Sequence, residues 1–181
     1  TDARRVTWAS GLIDRQVRVL SRLIDDLMDV SRINQGLIEL RREVVALDDV
    51  LADALESIRP LATESGHHLA VQLHTQKLRV DPDRTRLPQA YTNLLHNAVK
   101  YTDPGGRIEL GVAVQGDAAI VTVRDSGIGI PPEKLEQVFE IFSQVDSALS
   151  RSRGGLGIGL ALTHRLVQMH GGSIHAFSDG P

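Results

Sequence analysis

"RIELGVAVQGDAAIVTVRD", Arg107 to Asp125, alternates apolar and polar residues on either side of Gln115-Gly116-Asp117. A period of two broken by a glycine turn marks an antiparallel β-hairpin. Working outward, "HLAVQL" (68–73) and "LRV" (78–80) alternate like two more short strands. "LIELRREVVAL" (37–47) reads as a strand with a polar centre, and "SIHAF" (173–177) as a last strand. Helical patterns stand between them. Asp48 is placed to cap a helix through "DVLADALESIRPLATESG", which Gly66 ends. Asp83 is placed to cap another that reaches Tyr101 before "DPGG" stops it. A third runs from about Gly157 to His170, with Gly171 and Gly172 behind it. Helices and strands interleaved around a hairpin predict an α+β fold, a two-layer α/β sandwich with a mixed sheet and helices on one face.

The opening stretch has a different period. From Val6 to Asn34 there is no proline, and Ile13, Val17, Leu20, Ile24 and Leu27 recur at alternating steps of four and three. That is the seam of a helix packed nearly parallel to partner helices. Leu12, Val19, Leu23, Met28 and Val30 widen the face toward what a four-helix bundle buries. Composition sets outer limits. The 181 residues are 41% apolar and 24% charged with a net charge of −3, and the dispersed signs give no footprint for nucleic acid or a membrane surface. The absence of cysteine excludes disulfides, thiolate catalysis and Cys-based metal sites. No apolar run is long enough to span a bilayer and no signal-peptide pattern opens the chain. The start at Thr1 suggests a fragment, expected to be cytoplasmic, with any inner-membrane anchor of the parent lying outside it.

Four short motifs carry chemistry. "NLLHNAVKYT", Asn93 to Thr102, puts Asn93, Asn97 and Lys100 on one helical face and Leu94, Leu95 and Ala98 on the other. Two carboxamides and an ammonium suit a hydrated Mg²⁺ and polyphosphate oxygens, since magnesium keeps several waters and needs few protein ligands. "RDSGIGI", Arg124 to Ile130, leaves a strand end with Asp125 placed as a buried acceptor for an exocyclic amino group, and Gly127 and Gly129 allow backbone to approach a base. "VFEIFSQ" spaces Phe139 and Phe142 by three on a short helix, within a polar, Pro-containing stretch that resembles a flap with an apolar clasp. "GGLGIGL", Gly154 to Leu160, follows Arg151 and Arg153 and opens a helix with four glycines. It lacks the sixth-position glycine of the dinucleotide fingerprint and the Lys-Ser/Thr of the Walker loop. A helix N-terminus still offers free N–H groups and a positive dipole end to phosphate.

In order and spacing these motifs closely resemble the N, G1, F and G2 boxes of bacterial sensor histidine kinases of two-component systems. That family lies within a wider ATPase superfamily that includes gyrase, a heat-shock chaperone and the mismatch-repair ATPases. "RLIDDLMDVSRINQG" (22–36) is similar to the second helix of the family's dimerisation hairpin. The resemblance covers essentially the whole chain. It implies residues 1–46 as that helix with a linker, and residues 47–181 as a catalytic ATP-binding domain of the Bergerat type. By it, Asp125 bonds adenine N6, Asn97 ligates Mg²⁺ with Asn93 beside it, Lys100 contacts phosphate, and Tyr101 lies near the ribose and lid. Gly155, Gly157 and Gly159 bring the helix N-terminus to the β- and γ-phosphates, under a lid spanning roughly 131–154. Gly127, Gly129, Ile130, Phe142, Arg153, Leu156 and Leu160 complete the implied ATP site. The implied reaction moves the γ-phosphoryl group of ATP to a histidine and on to an aspartate of a response-regulator receiver domain, in a homodimer joined through the hairpin.

Three departures stand beside that resemblance. None of the seven histidines has the phosphoacceptor context of His-Glu or His-Asp followed by Leu-Arg-x-Pro, so the acceptor is expected outside this chain. The chain stops at "SDGP", where the family continues into a third glycine box and a final strand. Pro88 falls inside the N-box helix if Asp83 caps it. The main alternative is a degenerate kinase that binds ATP to gate an interaction without phosphoryl transfer. A hydrolysing chaperone- or topoisomerase-like ATPase would carry a general-base Glu where this chain offers Asn93.

Overall fold

A computed structural model describes the backbone of residues 2–143 and 156–180, which form two compact units, Thr1–Ile38 and Glu39–Pro181. The first unit is one helix, α1 (Asp2–Asn34). Gly36 ends it at φ 67°, where the Leu37 N–H bonds to Arg32 O at 2.9 Å, a left-handed stop that glycine adopts without a Cβ clash. All five seam residues, Ile13, Val17, Leu20, Ile24 and Leu27, are 46% to 63% exposed, as an unpartnered bundle face would be. The side chains of Leu12 and Val19 lie outside the described residues.

The second unit begins with a connector leading to β1 (Val45–Ala46), followed by α2 (Leu47–Glu64), β2 (His68–Gln72), β3 (Arg79–Val80) and α3 (Arg86–Tyr101). Then come β4 (Arg107–Gln115), β5 (Ala118–Asp125), two single 3₁₀ turns at Pro132–Lys134 and Gln137–Phe139, and α4 (Gly159–Met169). The hairpin is present as read: β4 and β5 pair antiparallel across a two-residue loop whose Gly116 takes φ 59°. β2 lies parallel on the other side of β4, which makes the sheet mixed, in the order β2-β4-β5, and β1 pairs antiparallel with β3. Ile108 and Leu110, two apart on β4, point to one face. There they meet Leu47, Leu51, Leu55 and Ile58 of α2 and Leu95, Ala98 and Val99 of α3 in one core. Burial pushes the Tyr91 phenol up to about 12, so this α3 side chain stays neutral against that core.

Several local expectations fail for identifiable reasons. "LIELRREVVAL" yields only the two-residue β1, because its polar centre is fastened singly: Arg41 N–H to Asp83 Oδ2 and Glu43 N–H to Pro82 O, both at 2.9 Å. Asp48 does not cap α2. The helix starts at Leu47, whose N–H already bonds to Leu78 O at 2.9 Å, and Asp48 and Asp49 sit in the first turn, where the dipole favours acids. "SIHAF" is not a strand: no ladder joins it to the described sheet, and Phe177 is 89% exposed. Pro88 is the third residue of α3, within the first turn; because Leu87 N–H already makes an i→i−4 bond to Asp83 O, the proline omits only the next bond of the ladder, at the helix entrance.

Candidate nucleotide site

α3 supplies the first wall. Asp83 precedes it, and its Oδ1 accepts the Thr85 and Arg86 N–H groups at 2.9 and 3.0 Å, while Leu87 N–H bonds to its carbonyl at 3.0 Å. Asp83 therefore does the capping expected of it, although regular helix begins at Arg86. Burial raises the Asp83 pKa most, but the Arg41, Thr85 and Arg86 N–H groups and the Arg86 charge together outweigh it and leave the pKa lowered. Leu95 and Ala98 are buried, which turns Asn93, Asn97 and Lys100 away from the core as their spacing requires. Lys100 Nζ donates to the Tyr101 hydroxyl at 3.0 Å and stands 4.6 Å from the ring centroid.

The loop after β5 is stitched to the end of α3. Ile128 N–H donates to Tyr101 O at 3.2 Å, and a Cβ on Gly127 would lie 2.6 Å from that same carbonyl and 2.6 Å from Asp125 Oδ1. Asp125 is exposed, which corrects the expectation of a buried carboxylate. It is the last residue of β5, and Gly127 N–H donates to its Oδ1 at 2.9 Å. Gly129 takes φ 70°, and the next N–H, of Ile130, donates to Ser178 Oγ at 2.9 Å. Ser178 was not picked out by the sequence reading; a lone serine in "SDGP" carries no signal of a partner 48 residues away.

α4 closes the site. Asn93 Nδ2 donates to Gly159 O at 3.3 Å, and the buried Thr163 hydroxyl donates to the same carbonyl at 2.8 Å. The first turn of α4 thus rests on the N-box helix. Its N-cap, Ile158, makes no side-chain cap bond among the described residues, and an uncapped helix N-terminus is suited to an anion. A Cβ on Gly159 would meet only Asn93, at 3.9 Å, an ordinary contact. Gly157 differs: at φ 69° it packs on the Ser143 carbonyl, and its own carbonyl accepts the Phe142 N–H at 3.1 Å. Residues 142 and 143, inside the expected lid, thus pack on the glycine just beyond its end. Phe142 lies beyond the short helix, not on it, at φ 65° and 62% exposed, whereas Phe139 ends the 3₁₀ turn and tilts against His164 with centroids 5.4 Å apart. Leu156 is exposed and Leu160 half-buried on α4, while Arg153 and Gly155, with residues 144–154 of the expected lid, lie outside the described residues.

The donor set fits the expected ligands. No group of three or more His, Cys, Asp or Glu suited to a metal occurs among the described residues. The bond from Nδ2 leaves the Asn93 carboxamide oxygen, one helical turn from Asn97 on α3, for a hydrated Mg²⁺ of the kind that needs few protein oxygens.

Residues 82–180 match the model of the histidine kinase-, DNA gyrase B- and HSP90-like ATPase, more than half of the chain. The chain belongs to that family. Its relatives include proteins named as sensor histidine kinases, which are enzymes. The circadian input-output histidine kinase CikA of Synechococcus elongatus is 40% identical over 159 residues, covering 86% of this chain and 21% of CikA. Among solved structures, histidine kinase AdeS of Acinetobacter baumannii aligns with a TM-score of 0.77 at 25% identity, over 97% of this chain and 79% of that one. Full-length ShkA in complex with AMPPNP aligns with a TM-score of 0.78 at 26% identity, over 97% of this chain and 37% of ShkA. The chain spans 19% to 36% of the length of the curated relatives it matches. No helix among the described residues is long and apolar enough to cross a membrane.

Proposed function

We propose that this chain is the ATP-binding, phosphoryl-donating part of a sensor histidine kinase, acting on a histidine outside the chain for relay to an aspartate of a response regulator. In this reading residues 1–46 are the second helix of a dimerisation hairpin with its linker, and residues 47–181 bind Mg-ATP. The convergence of the motifs on the start of α4 carries the reading: Asn93 holds Gly159 while Tyr101 O holds the loop of Asp125.

Asp125 Oδ2 accepts the adenine amino group, with Gly127, Gly129 and Ile130 lining the base. Tyr101 and Phe142 flank the ribose side. The open N-terminus of α4, from Leu156 and Gly157 to Gly159 and Leu160, binds the β- and γ-phosphates with Lys100, and Arg153 and Gly155 approach from the lid. Asn97 and Asn93 hold Mg²⁺, which neutralises phosphate charge. The protein's contribution to transfer is position and charge, as in other phosphoryl transfers.

Calorimetric titration with AMPPNP, with and without Mg²⁺, tests this on the whole chain and on Asp125→Asn. Saturable binding that Mg²⁺ strengthens and that Asp125→Asn weakens by about tenfold or more is the expected result, since one charged acceptor contributes about 1.5–3 kcal/mol. Equal binding by the variant would remove Asp125 from the base site. Phosphorylation of a separately supplied phosphoacceptor hairpin then distinguishes transfer from binding alone.

A further inference from the structure

The end of α4 opposite the glycines carries a side chain that the proposed chemistry does not use. His170 places Nδ1 2.7 Å from Leu166 O and receives the Asp83 N–H on Nε2 at 3.0 Å. A carbonyl can only accept and an amide N–H can only donate, so the two partners select the neutral ring protonated on Nδ1. Three segments meet around it. Asp83 Oδ2 takes the connector's Arg41 N–H, and its Oδ1 takes the first N–H groups of the α3 cap. Arg42 Nη2 reaches back to Met169 O, the end of α4, at 2.9 Å. At the other end of α4, Asn93 of α3 holds Gly159. The helix is therefore fastened to the α3 segment at both ends, which sets where its leading N–H groups point.

We propose that neutral His170 is a positioning residue of the nucleotide site, locking the end of α4 and the connector onto Asp83 and so aiming the glycine end of α4. The lock follows from geometry alone, and the aiming rests on the nucleotide reading above. A proton on Nε2 would set a donor against the Asp83 N–H and open the lock. Charged groups come from each neighbouring segment: Asp83, Arg84 and Arg86 from the α3 start, Arg41, Arg42 and Glu43 from the connector, and Arg165 with titratable His164 from α4, which has no acid. The Asp83 carboxylate itself already accepts three N–H groups.

The test uses the full chain and His170→Gln, whose amide oxygen replaces Nε2 as acceptor and does not titrate. Amide resonances of Asp83 and Arg41 are followed from about pH 8 to about pH 5, the window in which imidazoles change charge. They are expected to move with the His170 ring in the native chain and to stay still in His170→Gln. Amides that ignore the ring, or move equally in the variant, would overturn the lock. AMPPNP affinity is read in parallel. The native chain is expected to weaken about fivefold across that range, the worth of one hydrogen bond. That fivefold loss is read against His170→Gln, which shares the nucleotide's own phosphate titration but should lack the additional loss, and His170→Ala should bind weakly at both ends. Native affinity in His170→Ala at pH 8 would overturn the positioning role. Absence of AMPPNP binding in every chain would sink the nucleotide reading and the aiming with it, while the resonances still decide the lock.

Discussion

Gly127, Gly157 and Gly159 lack a side chain for two different reasons. On Gly127 a Cβ would press into Tyr101 O, and Gly157 needs positive φ against the Ser143 carbonyl, so both are required by the protein's own backbone. Gly159 has room for a methyl group and an ordinary helical position, so the backbone does not require it, and the nucleotide proposal assigns its bareness to a ligand at the α4 terminus. Gly127→Ala and Gly157→Ala should each cost about 1–3 kcal/mol in urea unfolding. Gly159→Ala should leave stability within about 0.5 kcal/mol, because alanine is the better helix former, yet weaken AMPPNP. Undiminished AMPPNP binding by Gly159→Ala would remove the phosphates from that terminus. Asp83 gives a pH test. Its pKa is lowered in the folded chain, so its contribution is complete above the ordinary carboxylate range and is lost as pH falls through the lowered value. Asp83→Ala should cost about 2 kcal/mol at neutral pH, as the loss of a buried cap does. Its acid unfolding curve should be flatter than that of the native chain; an unchanged slope would mean that other carboxylates carry the acid response.

Elements were legible wherever periodicity and a stop signal agreed. The hairpin, α3 up to "DPGG" and the end of α2 at Gly66, with φ 71°, all met that condition. The failures share a cause: strand pairing and capping depend on a partner that local sequence does not name. "SIHAF" alternates but has no described strand beside it, and α2 starts one residue before Asp48, at Leu47, whose N–H donates to the distant Leu78 carbonyl. The site divides the same way. Asn93, Asn97 and Asp125 follow from helical facing and a strand end, whereas Ser178, Thr163 and His170 act through contacts that only the fold creates. Within α2, Pro60 stands well inside the helix on an exposed position, where it withholds an N–H from the turn before it. Pro60→Ala should therefore stabilise the chain by about 2 kcal/mol, the helix penalty of proline less the unfolded-state entropy that alanine restores. A loss of stability in urea would mean that the ring packs usefully where it lies.

At the scale of the molecule, the core cluster that includes Leu51, Leu95 and Leu110 is built wholly from the second unit, and the apolar seam of α1 contributes nothing to it. A unit whose helices and sheet close their own core should fold without the other. The seam has the opposite character: five large apolar residues at heptad spacing, all exposed, suit a second bundle helix. Removal of residues 1–38 should therefore separate two properties. The remaining 39–181 should unfold cooperatively and bind AMPPNP within about twofold of the full chain, because its core and all the motifs are retained. Light scattering should find it monomeric at concentrations where the full chain associates, and Leu20→Asp in the full chain should reproduce that loss with the nucleotide site untouched. Should 39–181 unfold instead, α1 would be supporting the ATPase unit directly, and the seam would belong to this chain's own stability and not to a partner helix.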